Sequence, residues 1–372
     1  MKRKDILVLL NAPSSVNLIS DLLAPAKRLG WRLTIEERLA PPSGWRGDGA
    51  IVSTYDSPTI TRFISGLLQR GVPVVDLEIS RCSQRTHRCV INLDAVSRMV
   101  ASHFRGLGFT RAVFFAMEPI PSRRIEAAAF AKAWGMDFER WIWRGGWGKT
   151  RGASVSEWLR ERLVAVPKPV AVVTPNSYNA VKVLDECETA GLQVPEEVSV
   201  VSEWYEQAFC ESQHVAVSGV VYDTARRMRE AVRLLKRLMD GDRSAPKEVL
   251  VPPDRLVVNE SSDAYAVGSP NLRRALAIIR NNLSRPLGAK QIAAEMGVSH
   301  ATLDRLFASE LGRSAGSEIL RRRLLKAKRL LSTTDMKLSA VAAECGFCHA
   351  SHLVKAFSEA EGTTPGAWRQ RQ

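Results

Sequence analysis

No run of the chain approaches the ~18 consecutive apolar residues that a membrane-spanning helix needs, which excludes a transmembrane helical bundle. Cysteine is scarce, with six in 372 residues, and that count argues against a disulfide framework. The basic start, Met1-Lys-Arg-Lys-Asp-Ile-Leu-Val-Leu-Leu10, opens like a secretion leader. Its apolar part covers only residues 6–10, short of the ~7–15 that a leader uses. We read it as a first β-strand and expect a cytoplasmic protein. Walker glycines, an H-E-x-x-H pair and a G-x-S-x-G elbow are all missing, so the reading expects no enzyme, no cofactor and no metal. At 45% apolar, 25% charged and 7% aromatic, the composition is that of an ordinary globular chain, neither collagen-like nor disordered.

Acids are also short relative to bases, 39 against 53, and the shortage is local. Residues 271–372 hold 17 Lys and Arg against 8 Asp and Glu, so +9 of the net +14 lies in the last quarter. A concentrated positive field of this kind is the electrostatic footprint of nucleic-acid binding.

Along the first 260 residues, short continuous apolar runs (6–10, 50–53, 72–77, 112–116, 170–174, 198–202) alternate with amphipathic stretches such as 57–70, 94–106 and 177–190. That alternation predicts parallel sheets covered on both faces by helices. The length predicts two such lobes with a cleft between them. A last strand candidate, 255–259, precedes a small-residue polar stretch, and residues 263–270 are read as a linker between a 1–262 domain and a 271–372 domain. Ser269-Pro270 predicts a helix start, with Leu272, Ala275, Leu276, Ile279 and Leu283 on one face.

The basic end repeats itself. Ile292-Ala-Ala-Glu-Met-Gly-Val-Ser-His-Ala-Thr302 aligns with Val341-Ala-Ala-Glu-Cys-Gly-Phe-Cys-His-Ala-Ser351 at an offset of 49. One inserted residue later, Leu303, Arg305, Phe307 and Gly312 face Leu353, Lys355, Phe357 and Gly362. Each copy reads as a helix-turn-helix (289–309 and 338–359). Small residues (Ala293, Ala294; Ala342, Ala343) sit where helices cross, a glycine (Gly297, Gly346) makes the turn, and Val298 or Phe347 plugs the core beneath it. Leu303, Leu306 and Phe307, or Leu353 and Phe357, then face inward. His300, Ala301, Thr302, Asp304 and Arg305, and His349, Ser351, His352 and Lys355, are left to reach base edges in a major groove. Between the copies, 316–331 reads as a rigid connecting helix a little over ~20 Å long. Leu320, Leu324, Ala327 and Leu331 form its stripe, and Arg321, Arg322, Arg323, Lys326, Lys328 and Arg329 are expected to hold phosphates.

The segment from 271 to 371 resembles the AraC/XylS-type DNA-binding domain, most closely in its second copy and the following Gly362-Thr-Thr-Pro365 and Trp368-Arg369. The resemblance implies a transcription regulator in which Ala301, Asp304, Arg305, Ser351, His352 and Lys355 supply the main base contacts. The first 260 residues resemble the LacI-type and periplasmic-sugar-binding fold, through Gly47-Asp-Gly-Ala-Ile-Val52, Gly71-Val-Pro-Val-Val-Asp76, Gly108-Phe-Thr-Arg-Ala-Val-Phe114 and Pro195-Glu-Glu-Val-Ser-Val-Val201 in order. The fold class implied is therefore an α/β two-lobed periplasmic-binding-protein-like sensor domain followed by an all-α double helix-turn-helix domain, a pairing that resembles the XylR-like regulators.

That resemblance implies double-stranded operator half-sites, a homodimer partner, RNA polymerase and a small sugar or sugar-like effector as partners. Its cleft set is Asn11, Tyr55, Asn92, Arg124, Glu126, Asn176, Ser177, Trp204, Tyr205 and Tyr222. Four of these depart from the family's pattern: Asn92, Ser177 and Trp204 stand for aspartates and Glu126 for an arginine. The reading therefore expects either a different ligand, stacked on Trp204, Tyr205 and Tyr222, or a domain that only dimerises. A solute-binding protein and a DNA-modifying enzyme are the rival classes, the second requiring a reactive thiol such as Cys82 or Cys89 near Arg81, Arg85 and Arg88. Cys345-Gly-Phe-Cys-His349 spells a haem-attachment motif, but it lies on the turn of the second repeat. Arg140-Trp-Ile-Trp-Arg-Gly-Gly-Trp-Gly-Lys149 is read as strand and loop at a lobe surface.

Overall fold

The computed structural model describes residues 3–10, 15–36, 41–53, 57–80, 86–145, 154–266, 269–285 and 287–370. The strands are β1 (Asp5–Leu9), β2 (Arg32–Glu36), β3 (Gly49–Val52), β4 (Val74–Asp76), β5 (His87–Ile91), β6 (Arg111–Ala116), β7 (Asp137–Ile142), β8 (Val170–Thr174), β9 (Val198–Ser202), β10 (Ser218–Val221), β11 (Glu248–Val251) and β12 (Arg255–Val257). They form two sheets, ordered β11-β5-β4-β3-β1-β2 and β12-β10-β9-β8-β6-β7. The described pairings are parallel except β10 with β12, where the chain returns antiparallel on the edge.

Central strands such as β3, β8 and β9 are buried at every residue, which is why Val, Ile and Ala alternate there only with small Gly, Ser or Thr. Edge strands β2 and β7 are half exposed and carry mixed sequences, so periodicity did not reveal β2. The short β5, β10 and β11 were also not expected from the sequence.

The chain passes between lobes three times. After β5, helix Leu93–Gly106 packs Val96, Val100 and Phe104 into the second lobe's core. After β10, helix Thr224–Met239 packs Met228, Ala231 and Leu235 onto Ile6 and Val8 of the first. After β11 the chain crosses back to β12. The carboxyl ends of parallel strands in such sheets are where ligands bind.

The expected linker is not a loose tether. Ser261 and Ser262 are fully buried on the second lobe, where Val200 donates its backbone N–H to the Ser261 carbonyl at 2.7 Å. Ala264 is buried, Ala266 N–H donates to Leu107 O, and Tyr265 packs on the helical domain. The small side chains that marked this stretch as a linker permit close approach to both domains. The helix begins as expected, at Pro270–Asn281, with Ser269 Oγ accepting from Leu272 N–H.

Each repeat folds as helix, turn, helix: Ala289–Met296 then His300–Leu311, and Leu338–Glu344 then Ala350–Glu361. The inserted residue falls in the second turn. Ser299 caps the first exposed helix by accepting from Thr302 N–H at 3.1 Å, whereas His349 is the cap position of the second and makes no side-chain cap bond. Only Ala293 and Ala342 of the paired alanines are buried; Ala294 and Ala343 are exposed.

The connecting helix is Ala315–Thr333, 19 residues, or about 28 Å long, rather than a little over 20 Å. Ala315 and Ile319 belong to the first copy's core, and Leu324, Ala327 and Leu331 to the second's. Leu320 is exposed instead of lying on the buried stripe.

The two turn glycines are not equivalent. Both adopt left-handed φ, 70° and 71°, but a Cβ at Gly297 would meet open space, whereas one at Gly346 would sit 2.1 Å from the Leu283 carbonyl oxygen. Gly297→Ala is expected to cost about 1 kcal/mol, the left-handed penalty alone. Gly346→Ala is expected to cost roughly 3 kcal/mol or more, because backbone must also move. Urea unfolding of both variants checks the order.

Candidate DNA-reading surface and ligand cleft

Helices His300–Leu311 and Ala350–Glu361 bury Leu303 and Phe307, and Leu353, Ala356 and Phe357. Their opposite faces hold the expected reading residues. His300, Ala301, Thr302, Arg305, His349, Ser351, His352 and Lys355 are exposed, and Asp304 is half-buried. His300 Nδ1 lies 3.3 Å from Asp304, Thr302 Oγ1 is 2.8 Å from Ser299 Oγ, and His352 meets Phe347 edge-on.

The connecting helix departs from expectation. Its bases bind the protein's own acids and carbonyls rather than standing free for phosphates. Arg322, 5% exposed, bonds Glu318 at 2.9 Å and Glu196 of the second lobe at 3.3 Å. Arg321 joins Glu318 to Asp263 at 2.7 Å each, Arg329 reaches Glu260, and Lys328 reaches Glu361. Arg323 donates to the Arg285 and Leu287 carbonyls, and Lys326 to Ser284 Oγ. Arg280, on helix Pro270–Asn281, also pairs with Glu196. Burial alone pushes the Glu318 carboxyl up, but hydrogen bonds from Arg321 and the Arg322 charge hold it below the ordinary value.

Comparison with known proteins agrees with this architecture. A periplasmic binding protein-like domain model matches residues 101–262, and a helix-turn-helix domain model matches residues 292–371. The xylose operon regulatory protein of Escherichia coli K12 is 24% identical over 358 residues, covering 92% of this chain and 90% of that one. The chain is a helix-turn-helix transcription regulator with a periplasmic-binding-protein-like domain. The regulator GbdR of Pseudomonas aeruginosa is 35% identical over 103 residues, 28% of either chain. A solved structure of the xylose-binding transcription activator XylR shares the whole fold, with a TM-score of 0.78 at 22% identity, covering 100% of this chain and 99% of that one.

In this regulator the expected cleft residues scatter. Asn11 and Tyr55 lie outside the described residues. Asn92 and Asn176 stand at strand ends, with side-chain oxygens engaged as helix caps for Ala95 and Asn179. Ser177 is fully buried and donates to the Trp204 carbonyl at 2.7 Å, so it is a packing residue. Arg124 is exposed and lines a separate surface cavity with Arg140 and Trp143. Trp204 stacks on Tyr222 at 4.9 Å, but with Tyr205 these rings line a cavity of ≈ 1000 Å³ between the second lobe and the helical domain, facing Lys328 and Trp368. The proposed stacking faces thus meet the helical domain.

Sequence reasoning missed the acids just past the strand ends: Glu78 after β4, Glu118 after β6 and Glu203 after β9. Arg123, 8% exposed, bonds Glu126 at 2.9 Å and Glu118 at 3.3 Å. An arginine and acids are therefore present, one helical turn before Glu126 and one residue before Trp204. Registering each strand's end, rather than the motif, would have found them. Glu203 is 4% exposed, and neither carboxylate oxygen has a hydrogen-bond partner among the described residues. Burial, then the Glu126 charge, push its carboxyl well above the ordinary range; burial raises Glu126 to about 7 despite Arg123.

Burial pushes Cys89 up to about 11 and Cys345 up to about 12, opposite to the reactive Cys89 thiol that the rival DNA-modifying class requires. Cys82 lies outside the described residues. No described group of His, Cys, Asp and Glu has metal-ligand geometry, and no described helix is long and apolar enough to cross a membrane.

Two stability measurements follow. Glu203 has a folded pKa above its unfolded value of 4.5, so its burden appears as pH rises above about 4.5 and grows through the folded pKa. Glu203→Gln is expected to stabilise the protein at pH 8 and to match wild type at pH 4, read by urea unfolding. Glu196→Gln leaves Arg322 buried without its partner across the domain boundary, and is expected to cost about 3 kcal/mol and to open 260–270 to limited proteolysis.

Proposed function

We propose that the two exposed helices read two adjacent major-groove segments of one operator half-site, with Arg305 and Lys355 as equivalent anchors. The observation that carries this reading is the outward placement of both side chains at the same position of duplicated helices. His300, Ala301, Thr302 and Asp304 flank the first anchor, and Ser351 and His352 the second, with His349 at the cap. Because the connecting helix spends its bases internally, phosphate contacts fall to Lys290 and Lys337, both exposed at the start of the leading helix of each copy. The domain division follows the same reading: sensor to about 262, a tied segment to 270, reader beyond.

The cleft reading is a small polyhydroxyl effector whose hydroxyls donate to Glu203, with Glu126, Arg123 and Glu118 around it. What supports it is the unpartnered, buried Glu203 carboxylate at the carboxyl end of a parallel strand. The relative called a xylose-binding transcription activator makes pentoses the first candidates and activation, through contact with RNA polymerase, the direction of control. A homodimer in the cytoplasm completes the proposal. No catalytic role is assigned to any residue.

Arg305→Ala and Lys355→Ala are each expected to weaken operator binding by about 1–3 kcal/mol and to relax base preference at one position. Lys290→Ala is expected to weaken binding evenly across sequences and to reduce the salt slope by about 1. Binding titrations on selected duplexes check both. In a melting scan, one pentose, hexose or sugar acid is expected to raise the midpoint, and Glu203→Gln to remove the shift. No shift with any sugar would favour a domain that only dimerises.

A further inference from the structure

A cavity of ≈ 650 Å³ on the second lobe belongs neither to the cleft nor to the reading surface. Its walls come from the start of helix Pro121–Trp134, the end of β7 and helix Val155–Ala165. Arg124, Arg140, Arg144 and Arg162 line it, together with the indoles of Trp143 and Trp158. The Arg162 guanidinium lies 4.6 Å over the Trp158 ring, and Trp143 is 5.3 Å from Trp158.

No carboxylate lines this cavity among the described residues, and no ion pair to these four arginines occurs among them. Other arginines of the lobe are paired, as Arg111 is with Asp137 and Arg160 with Glu186. In sequence, 140–153 contains no Asp or Glu at all. Four guanidinium groups around one hollow repel each other, and a bound anion relieves that repulsion. Guanidinium forks match the oxygens of a phosphate, and indole faces pack against a flat base or the C–H face of a sugar ring. The volume suits one small molecule.

We propose that this cavity binds a phosphorylated ring compound, with the phosphate on the arginines and the ring against Trp143 and Trp158. The regulator would thereby sense a second, charged metabolite at a site apart from Glu203, so the proposal stands or falls independently of the cleft reading. A nucleotide and a sugar phosphate share this chemistry, and AMP and glucose 6-phosphate distinguish them.

Calorimetric titration of the full-length protein is the test, with inorganic phosphate, adenosine and glucose as partial probes. At least one of AMP and glucose 6-phosphate is expected to bind with a Kd below about 1 mM and more tightly than phosphate alone. The tighter of the two identifies the source. Arg140→Glu combined with Arg162→Glu, or Trp143→Ala alone, is expected to weaken that binding at least about tenfold while the melting midpoint stays near wild type. Arg62→Glu with Arg98→Glu, exposed on other helices, is expected to leave it unchanged. The proposal is overturned if neither phosphate compound binds, if binding survives both cavity variants, or if the remote reversal weakens it equally.

Discussion

The arrangement rests on a buried ion cluster. Glu196 of the second lobe and Glu318 of the connecting helix share Arg322, and Arg280, Arg313 and Arg321 close the cluster around them. Isolated surface ion pairs contribute little, but removing one member of a buried cluster strands the rest without solvent. The cluster therefore fixes where the helical domain sits on the lobe that forms one wall of the cleft. Any change in the angle between the lobes therefore carries the helical domain along with the second lobe.

The same helix that carries these arginines also joins the two repeats. One stretch of its surface completes the first copy's core, the next completes the second's, and a third faces the sensor lobe. Spacing between the reading helices is thus set by packing along one helix. Gly346 adds a second constraint, since only a glycine lets the second turn approach the Leu283 carbonyl. Both copies and the sensor lobe meet on 19 residues.

Much of this was legible in the sequence because it follows from periodicity and burial. Fully buried β8 and β9 announce themselves as apolar runs, and the repeat announces both reading helices down to Leu303 and Leu353. What sequence could not give is where a charged side chain goes. Arg321, Arg322 and Arg329 look like phosphate ligands until the chain brings Asp263, Glu196 and Glu260 beside them from 58, 126 and 69 residues away. Likewise Glu203 sits one residue from Trp204, which the motif register had singled out, and only the end of β9 shows which of the two faces inward. Edge strand β2 was obscure for a different reason, because half exposure permits polar residues that break the pattern.

The central claim is that two helices on one rigid body read successive turns of DNA. Hydroxyl-radical footprinting of a selected operator tests it most directly. The account predicts two protected windows per subunit, about 10 base pairs apart on the same face of the duplex. A single window, or two windows whose spacing drifts with linker insertions between 263 and 270 and not with changes to the 315–333 helix, would contradict it.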